Sequence, residues 1–417
     1  MSLSRRNLVG ASLLATAATA TPASRVFAQA AGGDNIIRIG LLEDMSGPYR
    51  DITGPTSVVC TQQAIREFTA ANPEIKVELL TADHQNKADI GLGIVRQWFD
   101  QQGVDAVLGV SNSALAIALK AVVEQKDKLH LNTTAASSAL TSEYCSPNAL
   151  HWGYDTWCLA HATGGPLVRQ GLDTWFFITP NYAFGKMFQG DVTGAVTQAG
   201  GKVIGSVSYP FPETTDFSSY FLQAQASGAK AIAFTGAGND FVNCVKQAHE
   251  FGLTQGKTTF VGFSGYINSI VALGLPVAQG LTEAETFYWD LNDRTRAFMA
   301  RVKPHLPAGT WPCQNHAGDY AAAMHYLKVA KAMGVAKAKE SGRATMIAMK
   351  AMPTDDDCFG EGSIRADGRV IHPSYLFGVK SPEESKYPGD VYKVLATTPA
   401  DQAFRPIADG QCAMART

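Results

Sequence analysis

From Ile36 onward, short apolar runs rich in β-branched residues alternate with segments of helical periodicity, and this alternation limits the chain to very few folds. The first run carries Ile36, Ile37 and Ile39 and breaks into the turn-forming loop Ser46-Gly47-Pro48-Tyr49-Arg50. Gly54-Pro55 then leads into a helical pattern bearing Val58, Val59, Ile65 and Phe68. Strand patterns follow at 75–80, 104–110 and 129–132, with helices at 87–101 and 113–124 between them. An aromatic stretch around Trp152, Tyr154 and Trp157 interrupts the series before a helix at 159–168. The pattern then restarts, with strands at 175–178, 203–207, 231–234 and 259–261 and helices at 184–198, 217–226 and 241–251. Such spacing predicts right-handed βαβ units, so the fold class is α/β with two parallel sheets. The remainder offers a strand at 281–290, a helix around Phe298 and Val302, and a long helix at 316–333. A twisted hairpin at 360–379 turning at Asp367-Gly368 and a strand at 391–396 follow. These pieces complete the two earlier units, which requires the chain to cross between them more than once.

The residues before this pattern form an address. Arg5-Arg6 precedes the apolar stretch from Leu8 to Ala20, and Ala28-Gln29-Ala30 supplies the small-x-small pattern of a cleavage site. A twin-arginine export signal over 1–30 is expected, with a periplasmic mature protein. Loss of Arg5, Arg6 and Arg25 from 35 basic residues leaves 32 against 37 acidic ones, a net charge near −5. That balance disfavours nucleic acid as a partner, since a nucleic-acid partner demands a basic face. Two domains are expected, because a single core rarely grows past about 250–300 residues.

In open α/β sheets ligands gather at the carboxyl ends of strands. Here those ends carry Tyr49, Ser111-Asn112-Ser113, Thr133-Thr134, Tyr182, Gly236 to Asn239 and Phe263-Ser264. Hydroxyls and N–H groups at a helix N-terminus hold anionic groups. The plainer alternative is ordinary N-capping by Ser113 and turn formation by Asn132.

Taken in order, IRIGLLEDMSGPYRDITGP, GVSNSALAIAL, NTTAAS, HWGYDTWCLAHATGG, PNYAFGKMF, TEAETFYWDLNDRTRAF and DQAFRPIADGQC resemble the periplasmic substrate-binding proteins of ABC importers for branched-chain amino acids. The branch of non-amino-acid organic acids, aromatic acids included, is the most similar. The resemblance implies two Rossmann-like lobes joined by three crossing strands, lobe 1 from 31–155 plus 284–365 and lobe 2 from 156–283 plus 366–417. It places the ligand between Tyr49, Ser111, Asn112, Ser113, Thr133 and Thr134 of the first lobe and Tyr182, Gly236, Asn239, Phe263 and Ser264 of the second, with Tyr154 at a crossing. Arg50 is either a partner for a ligand carboxylate or a solvated rim residue. Of the seven cysteines, the resemblance pairs Cys145 with Cys412. It further implies a monomer that presents a small organic acid to a membrane permease, with no cofactor and no metal. The same cleft would also serve a sensor module.

Leucine-type binders carry G-P-E-G where the glutamate meets the ligand's ammonium, and this chain reads Gly262-Phe263-Ser264-Gly265. Burying an ammonium without an anion costs several kcal/mol, a large share of the ~8 kcal/mol of micromolar binding. An aromatic or hydrophobic carboxylate is therefore expected, ahead of an amide or urea and of a branched-chain amino acid. An enzyme is not expected, because G-x-S-x-G, H-E-x-x-H and G-x-x-x-x-G-K-[ST] are all lacking.

Overall fold

Strand β1 (Ile36–Glu43) lies inside the first sheet because both of its faces are apolar. Ile37, Ile39 and Leu41 are buried on one side and Leu42 on the other. The computed structural model describes residues 35–253 and 258–415; the expected export signal lies outside them. β1 pairs in parallel with β2 (Lys76–Asp83) and β3 (Ala106–Gly109), and β4 (Leu129–Asn132) and β5 (Ala149–His151) extend the sheet in the order β2-β1-β3-β4-β5. A Cβ on Gly40 would come within 2.4 Å of the Trp98 ring, so glycine is what lets that indole lie against the strand. Helices Gly54–Ala71 and Gln314–Met333 cover the opposite face.

The second sheet repeats the arrangement with β6 (Thr174–Pro180), β7 (Lys202–Tyr209), β8 (Ala231–Phe234) and β9 (Thr259–Gly262), all parallel, in the order β7-β6-β8-β9. Its core is more aromatic, with Trp175, Phe177, Phe188, Phe234 and Phe241 fully buried. β10 (Thr282–Glu285), β14 (Ser374–Val379) and β15 (Tyr392–Thr398) form an antiparallel sheet whose β10 lies beside β9. β11 (Thr354–Asp356), β12 (Gly360–Ile364) and β13 (Val370–Ile371) form a small sheet near the first lobe's core.

Two elements differ from expectation. The strand expected over 281–290 ends at Glu285, because the chain leaves the sheet there. The backbone N–H and hydroxyl of Thr286 both turn to Gln314 Oε1, at 2.8 and 3.0 Å. The hairpin expected over 360–379 divides at His372, with β12 and β13 on one sheet and β14 on another.

The chain thus passes between the two sheets near 152–155, 286–289 and 372–373. Arg369 binds the first and third passages together. Its guanidinium is fully buried, donates to the carbonyls of Trp152 and Gly153, lies 3.4 Å from Asp155 and stacks 4.2 Å from the Phe404 ring centroid. Asp155 in turn caps the next helix by accepting from the Cys158 N–H at 2.8 Å. Burial lowers the Arg369 pKa to about 10 while Asp155 opposes the shift, so the guanidinium is charged at neutral pH. The carboxyl-terminal segment returns to the first lobe, where Cys412 is disulfide-bonded to Cys145. Cys60, Cys158, Cys244, Cys313 and Cys358 are buried thiols.

Among the described residues no helix is long and apolar enough to cross a membrane. Removing one partner of a buried ion pair leaves the other uncompensated, at about 3–5 kcal/mol. Arg369→Met is therefore expected to lower the unfolding free energy by about that much in denaturant titration; a loss below about 1 kcal/mol would show that Arg369 does not hold the passages together.

Candidate functional site

The loop after β1 is shaped by Asp44. Its carboxylate accepts from the Gly47 N–H at 2.6 Å and the Tyr49 N–H at 3.0 Å, which folds the chain back and points Tyr49 across the cleft. A Cβ on Gly47 would meet that carboxylate at 2.5 Å. Thr53 closes the loop by donating to the Tyr49 carbonyl at 3.0 Å.

Two further strand ends complete the first wall. β3 ends in Gly109, and it and the following Val110 are both at positive φ, which delivers Ser111 to the end of the sheet. Ser111 Oγ accepts from the Asp44 N–H at 3.2 Å and lies 3.0 Å from His84 Nε2. Ser113 opens the helix Ser113–Lys126, whose N-cap Asn112 accepts from the Leu115 N–H at 2.9 Å. After β4, Asn132 closes a turn with Ala135 through both ends of its amide. Thr133 donates inward to Asp319 at 2.5 Å, and Thr134 Oγ1 lies 3.2 and 3.4 Å from the two Glu43 oxygens.

The second wall comes from Tyr182, at the N-cap of helix Ala183–Gln198, from Phe184 inside it, and from Ala237 after β8. The two walls meet at three places. The hydroxyls of Tyr49 and Tyr182 touch. Phe211 stacks on both rings, 5.7 Å from Tyr49 and 4.6 Å from Tyr182. The Pro48 carbonyl accepts from the Asn239 N–H at 3.0 Å.

Between the walls is a narrow cavity of about 20 Å³, room for about one water-sized sphere while the walls touch. Tyr49, Ser111, Ser113, Thr134, Tyr154 and Tyr182 line it, and so do Ile52, Thr53, Ala136, Phe184, Ala237 and Asn315. Among the described residues no Asp, Glu, Lys or Arg belongs to the lining. Burial pushes both Tyr49 and Tyr182 up, so their phenols are neutral.

Other sequence candidates lie elsewhere. Asn112 caps, Thr133 turns inward, and Gly236 packs against Phe234 and the Tyr209 hydroxyl. The Asn239 side chain is exposed, and its backbone supplies the contact to Pro48. Phe263 is buried in the second core against Phe188 and Trp175, and Ser264 is buried beside it. Arg50 is 58% exposed and lies 3.9 Å from Asp51. Asn315, absent from the sequence candidates, reaches the cavity from a helix far along the chain and is fixed by donating to the Ile52 carbonyl at 2.9 Å.

Behind the wall are carboxyls without a cation. Glu43 is fully buried, and burial, then Asp319, hold its pKa well above the usual carboxylate range. Burial raises Asp319 to about 7. Toward the crossing, burial raises Glu283 to about 8 and holds Glu285 well above the ordinary range. One oxygen of Asp319, one of Glu283 and one of Glu285 lack a protein partner.

Comparison with known proteins follows the geometry. Residues 36–386 match the family model described as periplasmic binding protein. A periplasmic binding protein from Burkholderia mallei is 39% identical, with a TM-score of 0.86 over 92% of this chain and 100% of that one. A branched chain amino acid ABC transporter periplasmic ligand-binding protein from Burkholderia xenovorans is 37% identical, with a TM-score of 0.79 over 91% and 100%. A solute binding protein of an ABC transporter from R. palustris, solved with benzoate, shares the fold at 17% identity, with a TM-score of 0.75 over 91% and 99%. No curated protein matches the chain.

Gly238 governs how closely the walls approach. It has φ +62°, and a Cβ there would sit 2.4 Å from the Pro48 carbonyl oxygen and 2.9 Å from the Tyr49 ring. Gly238→Ala also adds a left-handed strain of roughly 1–2 kcal/mol. The variant is expected to hold the lobes apart, read as a larger radius of gyration in small-angle scattering; an unchanged radius would remove Gly238 from the closing contact.

Proposed function

The chain belongs to the periplasmic binding protein family, and from that premise we propose that it captures a small aromatic or hydrophobic carboxylate for an ABC importer. The observation that carries this reading is the polarity of the cavity. An anion-binding set, the N-terminus of helix Ser113–Lys126 with the hydroxyls of Ser113 and Thr134, and an apolar set, the rings of Tyr49, Tyr154, Tyr182 and Phe184, line it together. Helix-end N–H groups and hydroxyls favour an anion, and neutral rings favour an apolar body. The benzoate in the R. palustris protein of the same fold has that shape.

In this reading the first lobe holds the carboxylate while the lobes are apart. Closure about the three passages then brings Tyr182 and Phe184 over the ligand, and a membrane permease detects the closed form. The protein is exported to the periplasm by the leader at 1–30, acts as a monomer, binds without chemistry and needs no cofactor. Arg50 stays at the rim, outside the lining.

A second reading has its own support. Gly262-Phe263-Ser264-Gly265 carries no acid, yet Glu283 reaches that loop by accepting from the Gly265 N–H at 2.8 Å. Glu285 is buried on the same strand. An amino-bearing ligand would meet one of these carboxyls on ionisation, at the cost that burial imposes on their charged forms.

A thermal-shift screen over benzoates, cinnamates, aliphatic acids, amides and amino acids separates the two. Aromatic acids are expected to raise the midpoint, and Ser113→Ala combined with Thr134→Val is expected to weaken them by about a hundredfold, roughly 2.7 kcal/mol for two hydrogen bonds to a charged group. A response confined to leucine, isoleucine and valine would favour the second reading and contradict the first.

A further inference from the structure

Four polar groups beneath the cavity form a chain whose hydrogen-bond directions can be followed from one end. His84 Nδ1 accepts from the Asn86 N–H at 3.0 Å. Burial lowers the His84 pKa to about 4, so the ring is neutral and its one proton is on Nε2. Nε2–H therefore donates to Ser111 Oγ, 3.0 Å away, and the Asp44 N–H donates to the same oxygen at 3.2 Å. With both lone pairs of Ser111 occupied, its hydroxyl is left as a donor, directed at the neighbouring Glu43 carboxyl, whose charged form it favours against the larger effect of burial.

Thr134 is the next member, and its direction depends on Glu43. Beside an ionised Glu43, the Thr134 hydroxyl must donate inward and offers the cavity only lone pairs. Beside a neutral Glu43, the acid's own proton goes to Thr134 Oγ1, and the threonine proton is released toward the cavity. An ionised Glu43 would also set a buried negative charge behind the place where an anion binds.

The surroundings of Glu43 favour the neutral form. A Cβ on Gly109 would lie 2.2 Å from Glu43 Oε1, so the carboxyl is wedged against the turn after β3. Asp319 faces it from helix Gln314–Met333, and Asp44 adjoins it on its own loop. Asp319 takes the Thr133 hydroxyl on one oxygen and has no protein partner on the other. His84, held by Ser111, is neutral, and no ion pair to Glu43 or Asp319 is made among the described residues.

We propose that Glu43 is a positioning residue that, as a neutral acid, turns the Thr134 hydroxyl into a donor toward the ligand and makes the cleft selective for anions. Capture of a carboxylate is then linked to one proton kept on Glu43. The inference rests on the carboxylate reading above and adds a residue that never touches the ligand. As pH rises past the ionisation of Glu43, affinity falls; at lower pH, where Glu43 is already neutral, affinity is level.

The test is calorimetric titration of the mature protein with benzoate, which is ionised throughout, from pH 6.5 to 9. Wild type is expected to lose up to about tenfold in affinity per pH unit at the alkaline end, the slope of a single linked proton. The measured enthalpy there should vary with the ionisation heat of the buffer as a proton is taken up. Glu43→Gln, whose amide donates to Thr134 and accepts from Ser111 at every pH, is expected to flatten the profile and abolish the buffer dependence. Infrared difference spectra between wild type and Glu43→Gln at pH 7, without ligand, should show a protonated carboxyl in the wild type. Benzoate affinity that stays level across the pH at which the infrared spectrum shows Glu43 ionising, or an ionised Glu43 at pH 7, overturns this proposal alone. A protonated Glu43 in a protein that binds neither benzoate nor any other carboxylate overturns the carboxylate reading and this proposal with it.

Discussion

Two tyrosine hydroxyls, one from each lobe, meet across the cleft, and the geometry of the rest of the site depends on that contact. Tyr49 can reach Tyr182 only because Asp44 folds the loop after β1 and Gly47 leaves room for its carboxylate. Phe211 then stacks against both rings, and Gly238 lets Pro48 approach the helix that begins at Asn239. These contacts amount to a few hydrogen bonds and ring pairs, each worth about 1 kcal/mol net. A closing interaction of that size can be tipped by a ligand that binds the two forms unequally, as a capture device requires.

Much of this architecture was legible in the sequence, for a physical reason. Parallel strands buried on both faces must be apolar throughout, so β1, β4 and β8 announce themselves, and ligand loops must then follow their carboxyl ends. Tyr49, Ser111, Ser113, Thr134, Tyr154 and Tyr182 all follow from that rule or from the family resemblance. What the sequence did not show has a common cause as well. Phe287, Tyr288 and Trp289 follow closely after β10 and read as its continuation, yet they pack where the chain changes lobes, and a short aromatic run does not reveal which body it packs on. Phe263 follows a strand end as a ligand residue would, but it packs against Phe188 and Trp175 in the core. Asn315 carried no local signal at all, because tertiary packing alone brings its helix to Ile52.

The buried carboxyls without a cation were equally hidden. Glu43, Glu283, Glu285 and Asp319 look in the sequence like ordinary acidic residues of a soluble chain, and only the fold shows that none of them reaches water or a cation. Burial raises all four toward neutrality. Since the folded state then holds protons that the unfolded state has released, these groups favour the fold most at low pH, and their contribution declines as pH rises above the unfolded carboxylate value. A site without a net charge of its own can choose its ligand by the direction of its hydroxyl protons, and in this molecule those directions begin at His84 and Glu43.

The central claim, that the cleft receives a carboxylate at the Ser113 helix end with its body between the two tyrosines, is tested most directly by a crystal structure of the protein with benzoate. The account predicts carboxylate oxygens within hydrogen-bonding distance of the Ser113 and Thr134 hydroxyls, and a ring between Tyr49 and Tyr182 whose hydroxyls no longer touch. A ligand seated with its polar group toward Glu285, or one bound outside this cavity, would contradict it.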